Sequence, residues 1–246
     1  MPRAQEIRFA DVHRTRRASG GSAQEVLRGL SLTIPPGQTI GVLGRSGGGK
    51  TTLLRLLNRL EDPDRGEIDY GGQDLRTLDV IALRRRIALV NQRSVMFPGT
   101  VLDNVMLPDV ITGRGAGDEP RAREMLARVR LDDDLAPRRA AELSVGQQGR
   151  VQLARALYLD PEVLLLDEST ANLDPQVAQE ILDDLHRWAA HEERTLLHVS
   201  HEPDKLRRCA RLILLDEGRI TADGGAAAVL DDPHSPAAAI LAHGGD

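Results

Sequence analysis

Ile40-Gly41-Val42-Leu43-Gly44-Arg45-Ser46-Gly47-Gly48-Gly49-Lys50-Thr51-Thr52 is the stretch on which the reading of this chain turns. Ile40 to Leu43 is a short apolar run of the kind that forms a buried strand. Gly44 to Gly49 is a glycine-rich turn. Lys50 to Leu60 carries a helical pattern that should stop at Asp62-Pro63, where proline forbids continuation. The spacing from Gly44 to Thr51 fits G-x-x-x-x-G-K-[ST]. Glycines let successive backbone N–H groups turn inward as an anion nest, without Cβ clashes. The helix that follows points its positive end, about half a unit charge, at the same spot. Phosphates belong there, with Lys50 reaching the β- and γ-phosphates and the Thr51 hydroxyl ligating Mg²⁺. The whole run from Gly44 to Thr52 is therefore the expected cradle for the phosphates of a nucleotide.

Working outward, three more continuous apolar runs read as strands buried on both faces of a parallel sheet: Ile87 to Val90, Val163 to Leu166 and Thr195 to Val199. Glu6 to Val12 and Val26 to Ile34 are earlier strand candidates. Leu212 to Leu215, the turn Asp216-Glu217-Gly218-Arg219 and Ile220 suggest a closing hairpin. Val163 to Leu166 ends in Asp167-Glu168. Carboxylates at the C-terminal end of a buried strand sit beside the ligand crevice of an α/β sheet. Asp167 is placed to hold Mg²⁺ and Glu168 to polarise an attacking water, a role worth roughly two to four orders of magnitude in rate.

The bulk composition fits this reading. The chain has 246 residues, 41% of them hydrophobic and 28% charged, with a formal net charge of -5. That balance argues against a nucleic-acid partner, which calls for a basic excess. One cysteine, Cys209, forms no internal disulfide and fits a reducing compartment. The N-terminal residues have no apolar segment of a secretory signal. No stretch approaches the roughly 18 apolar residues of a membrane span, so work at a membrane would need a spanning partner.

Leu143-Ser144-Val145-Gly146-Gln147-Gln148-Gly149-Arg150, followed by Val-Gln-Leu-Ala-Arg155, completes the pattern. With the cradle and the acidic strand end, it resembles the ABC ATPase family over nearly the full length. The resemblance implies an α/β P-loop cassette with a parallel-sheet core, an N-terminal antiparallel β subdomain and an inserted α-helical subdomain. Residues 1–92 and 142–223 would form the core and β subdomain, 93–141 the helical subdomain and 224–246 a tail. It also implies that Ser144, Val145, Gly146 and Gln147 bind ATP held by a second copy, so that two chains close head to tail as a homodimer. Ser144 and Gln147 form an S-x-x-Q capping box, so a helix should begin there with its N–H groups free for phosphate. Val145 stands where the family has glycine; at a first helical position φ is negative and valine is tolerated.

Further residues match the family by position. Gln92 resembles the glutamine that senses Mg²⁺ and relays to the transmembrane partner. Asp174 closes a stretch, Ala171 to Asp174, that resembles the D-loop. His201 resembles the histidine that contacts the γ-phosphate, while His198 reads as a strand residue. The family's adenine-stacking aromatic is missing: Phe9, Tyr70, Phe97, Tyr158 and Trp188 lie elsewhere, and Arg16 or His13 is expected to stack in its place. Ser169 replaces the usual proline with little expected effect.

The resemblance implies an ATPase that drives separate permease subunits from the cytoplasmic face of the cell membrane. Leu57-Asn58-Arg59-Leu60, Met96-Phe97 and the valine-bearing signature point to the small ATPases of bacterial metal-exporting pairs and their plant aluminium-tolerance relative. The phosphate-importer ATPase shares Asn58-Arg59 and the arginine-rich approach to Gln92. Soluble ABC ATPases of cluster assembly and a weakly hydrolysing regulatory subunit are the rival readings.

Overall fold

A computed structural model describes residues 4–17 and 23–237. Among the described residues, ten strands form two sheets and eight α-helices pack with them. The larger contains β3 (Thr39–Leu43), β6 (Ile87–Val90), β7 (Val163–Asp167), β8 (Thr195–Val199), β9 (Arg211–Asp216) and β10 (Arg219–Gly225). Their order is β10-β9-β3-β8-β7-β6, parallel except for β10, which folds back on β9. The smaller, antiparallel sheet runs β2-β1-β4-β5, from β1 (Ile7–Arg17), β2 (Ala23–Ile34), β4 (Arg65–Tyr70) and β5 (Gln73–Asp74).

Alternation along β7 shows why these strands are apolar throughout. Val163 and Leu165 join the core that contains Ile40, Val42, Leu53 and the inner face of the small sheet. Leu164 and Leu166 join the opposite core, built with the helices that cover the other face. Helix α1 (Lys50–Leu57) buries Leu53, Leu54, Leu56 and Leu57 in the first core. Helices α5 (Val145–Tyr158) and α6 (Pro175–His191) supply the second, with α3 (Val101–Ile111) and α4 (Glu119–Arg128) stacked on α5. Each strand buried on both faces contributes two sets of side chains, at about 25 cal/mol per Å² of apolar surface removed from water.

Several sequence expectations change in detail. α1 ends at Leu57, short of Leu60: Asn58 is its C-cap and Arg59 turns left-handed at φ 53°, so the chain leaves the helix before Pro63 acts. α3 was not anticipated, because it carries Pro108 and shows no apolar stripe; a capping box between Thr100 and Asp103 starts it. α4 coincides with the expected helical stretch, Pro120 to Val129. β4 and β5 were also missed, being short and interrupted by glycine and charge. Past Gly224, β10 runs to Gly225, and α8 (Ala226–Asp231) packs Ala226 and Leu230 against Leu212 and Leu214. The β9–β10 turn places both Glu217 (φ 46°) and Gly218 (φ 78°) in the left-handed region, as a tight hairpin requires. Among the described residues no helix is long and apolar enough to cross a membrane.

Candidate functional site

Parallel pairing decides where the chemistry collects. The C-terminal ends of β3, β6, β7 and β8 share one edge of the sheet, and they lead into Gly44, Asn91-Gln92, Asp167-Glu168 and Ser200-His201. Residues as far apart as Gly44 and His201, 157 positions along the chain, thus meet over one cleft.

Gly44 follows β3 where there is no room for a side chain: a Cβ would lie 2.0 Å from the Leu215 carbonyl oxygen. Gly49 caps α1 at φ 104°, and a Cβ there would meet Leu27 at 2.8 Å and the Val26 oxygen at 2.9 Å. Both positions require glycine for close approach, as the loop reading expects. Lys50 is buried, and its Nζ donates to the carbonyls of Gly44 (2.7 Å) and Arg45 (2.9 Å). Burial pushes its ammonium below the usual lysine range, opposed by the Glu168 and Asp167 carboxylates. The Thr51 hydroxyl donates to Asp167 Oδ1 at 3.2 Å. Burial pushes the Asp167 carboxyl up; the Thr51 hydrogen bond opposes this and the neighbouring Glu168 charge adds to it. These are the shifts of groups suited to meeting opposite charges, phosphate oxygens for Lys50 and a cation for Asp167. A hydroxyl and a carboxylate, with the Gln92 amide in the same cleft of about 630 Å³, are the hard oxygen donors that suit Mg²⁺.

Glu168 sits at φ 49°, an unusual conformation for a non-glycine residue. Its N–H is anchored on the Val199 carbonyl at 3.1 Å. Its Oε2 accepts from Gln92 Nε2 at 3.0 Å and lies 3.5 Å from His201 Nδ1. Three side chains singled out separately in the sequence therefore converge, with Glu168 19% exposed and His201 60% exposed.

The signature segment behaves as its capping box requires. Ser144 Oγ accepts from the Gln147 N–H (3.3 Å), and Gln147 Oε1 accepts from the Ser144 N–H (3.0 Å). Val145 occupies the first helical position and is 62% exposed. Gly146 lies against the D-loop; a Cβ there would meet the Asn172 oxygen at 3.0 Å. Asp174 caps α6 by accepting from the N–H groups of Gln176 and Val177. Ser144, Gly146, Gln147, Asn172 and Asp174 line a concavity of about 400 Å³. It shares no lining residue with the cleft at Thr51 and Asp167.

Arg16 is not free at the end of β1: its Nη2 donates to Glu61 Oε1 at 2.5 Å. His13 is held by Glu25 (2.7 Å) and Asp11 (3.2 Å). Sequence reasoning passed over Glu61, because only the return of the chain after α1 brings it to β1.

The family model described as ABC transporter matches residues 27–171, a span that contains the phosphate loop, the signature and the acidic strand end. The chain belongs to the ABC transporter family. It is an ATPase, like the cassettes it resembles. It is 41% identical over 238 residues to methionine import ATP-binding protein MetN 2 of Pseudomonas entomophila, covering 94% of this chain and 70% of that one. Protein STAR1 of Oryza sativa subsp. japonica is 43% identical over 199 residues, covering 81% of this chain and 57% of that protein. The post-hydrolysis dimer of the ATP-binding cassette MJ0796, bound to ADP and Pi, superposes with a TM-score of 0.82 at 29% identity, over 89% of this chain and 98% of that one. These likenesses establish the ABC cassette fold. They give no support to a metal exporter in preference to an importer.

Proposed function

We propose that this ABC ATPase is the motor of a membrane transporter, working as two copies that close head to tail around two ATP molecules. The observation that carries the reading is the convergence of Glu168, Gln92 and His201 beside the Lys50–Thr51 loop. Backbone N–H groups from Gly47 to Thr52, with Lys50, bind the phosphates. Thr51, Asp167 and Gln92 hold Mg²⁺, which supplies charge neutralisation of the β- and γ-phosphates. Glu168 accepts the proton of the attacking water, and His201 and Gln92 fix its orientation. Arg16 faces the adenine. The signature concavity is separate from the phosphate loop of its own chain, which supports Ser144, Val145, Gly146 and Gln147 serving the partner's ATP, with Asp174 beside them.

Residues 93–141 form the helical subdomain that transmits closure. Between it and the core runs a groove of about 540 Å³ lined by Ile81, Arg85, Phe97, Ile111 and Arg155, with Ile111 71% exposed. This is where the permease docks, at the cytoplasmic face of the membrane. The permease selects the cargo. The methionine-import relative favours uptake.

Glu168→Gln tests the reading. With ATP it should run as a stable dimer in light scattering while hydrolysis falls at least about a hundredfold. Parental turnover, or a monomer at saturating ATP, overturns it.

A further inference from the structure

Glu61 is the most heavily engaged carboxylate near the cleft. Its side chain is 14% exposed, and its two oxygens accept from three guanidinium groups. Oε1 takes Arg16 Nη2 at 2.5 Å and Arg55 Nη1 at 3.4 Å; Oε2 takes Arg14 Nε at 3.1 Å. Asp64 steadies the same group, accepting from Arg14 Nη1 at 2.9 Å and the Thr15 N–H at 2.6 Å. Burial alone would push the Glu61 carboxyl up; Arg16 and Arg14 outweigh it and hold it below its ordinary value, so it stays charged.

Location makes this more than a surface network. Glu61 and Arg55 line the same cleft as Thr51, Gln92 and Asp167. Arg55 lies on α1, one turn beyond Thr51, so Glu61 ties β1 directly to the phosphate-binding helix. The strand pairing agrees: Arg16 lies opposite Gln24, two residues from Val26, whose carbonyl packs on Gly49 of the phosphate loop. Phe9 and Tyr70, the aromatic residues of this sheet, are buried in its core and present no ring to the cleft.

We propose that Glu61 is a positioning residue for nucleobase recognition: from the cleft wall it holds the Arg16 guanidinium as a flat plate, on which the base of a nucleoside triphosphate stacks. This rests on the reading of the cleft as the ATP site. A free arginine samples many rotamers, and ordering it costs entropy; the carboxylate meets that cost before the nucleotide arrives. A guanidinium that donates in its own plane to Glu61 keeps its face for π-stacking. A face reads the base's π-surface and not its edge, so adenine and guanine are taken with similar affinity.

The test is equilibrium binding of fluorescent ATP and GTP analogues to the full chain, with melting temperatures measured in parallel. Glu61→Ala and Arg16→Ala should each weaken both nucleotides about tenfold, and the double variant should be no weaker than either single one. Arg16→Tyr placed on Glu61→Ala should restore ATP affinity, because a ring needs no carboxylate to hold it flat; a role confined to stability would not be rescued. The inference fails if Glu61→Ala binds ATP like the parent, if the two losses add, if the tyrosine does not rescue, or if the parent rejects GTP more than tenfold. Lys50→Ala separates the two levels. Loss of ATP binding there with Glu61→Ala unaffected sinks this inference alone, whereas unchanged binding in Lys50→Ala sinks the ATP-site reading itself.

Discussion

His198 is fully buried in β8, opposite Leu166 and Gly41, and neither ring nitrogen has a hydrogen-bond partner. Burial, reinforced by His186 and Lys205, pushes its pKa from 6.5 to about 3. The sign follows from linkage. The unfolded chain takes up this proton near pH 6.5 and the folded chain does not, so the stabilisation is complete above 6.5 and is lost as pH falls toward 3. By pH 5 the loss is about 2 kcal/mol, at 1.36 kcal/mol per unit. His198→Met should therefore flatten the acid limb of the urea-midpoint profile between pH 7 and 5; an unchanged slope would show that another group sets it. The sequence already separated His198, a strand residue, from His201 two positions past the end of β8. It did not foresee the left-handed backbone of Glu168, since no local signal demands it. That turn follows from β7 ending where Val199 of β8 offers its carbonyl.

At the scale of elements, Glu162 joins three pieces of the fold. It precedes β7, accepts from Arg86 at the end of α2 (Val80–Arg86) at 2.7 and 3.0 Å, and accepts from the hydroxyl of Tyr70 in β4. Arg86 also stacks over the Tyr70 ring, 4.7 Å from its centroid. Burial and the Glu162 carboxylate together push the Tyr70 hydroxyl up, so it remains the proton donor. Glu162→Ala leaves a guanidinium and a phenol with no carboxylate, and should cost about 2 kcal/mol, below the full value for a buried pair because Arg86 is one-third exposed. Chemical denaturation of Glu162→Ala against Tyr70→Phe checks it; equal, sub-kilocalorie losses would mean that the link carries no load. The helices with strong local signals, α1 by its glycine loop and α5 by its capping box, were legible. α3 was not, because its apolar residues are set by packing on α5 and not by a stripe of its own.

For the whole molecule, the exposed large hydrophobics are unevenly spread. Ile81, Val95, Phe97 and Ile111 all line the groove between core and helical region, where Arg84, Arg85 and Arg155 add positive charge. Apolar surface of this kind, framed by charge, marks an interaction site. If the proposed permease docks here, Ile111→Asp should reduce its co-purification in detergent at least tenfold while moving the melting temperature by no more than about 2 °C, as a surface change does. Retained capture would exclude the groove as the docking face.

The phosphate loop, the capped signature helix and the buried strands were determined by the sequence itself, because each depends on contacts within a few residues: inward N–H groups, a serine reaching its own third neighbour, apolar runs bounded by turns. The tertiary structure decided what those pieces do together. Gln92 meets Glu168 across 76 positions and Glu61 meets Arg14 across 47. Contacts at that range are fixed by strand order and by which helix covers which face, and strand order is a property of the packed sheet that no local stretch of chain encodes.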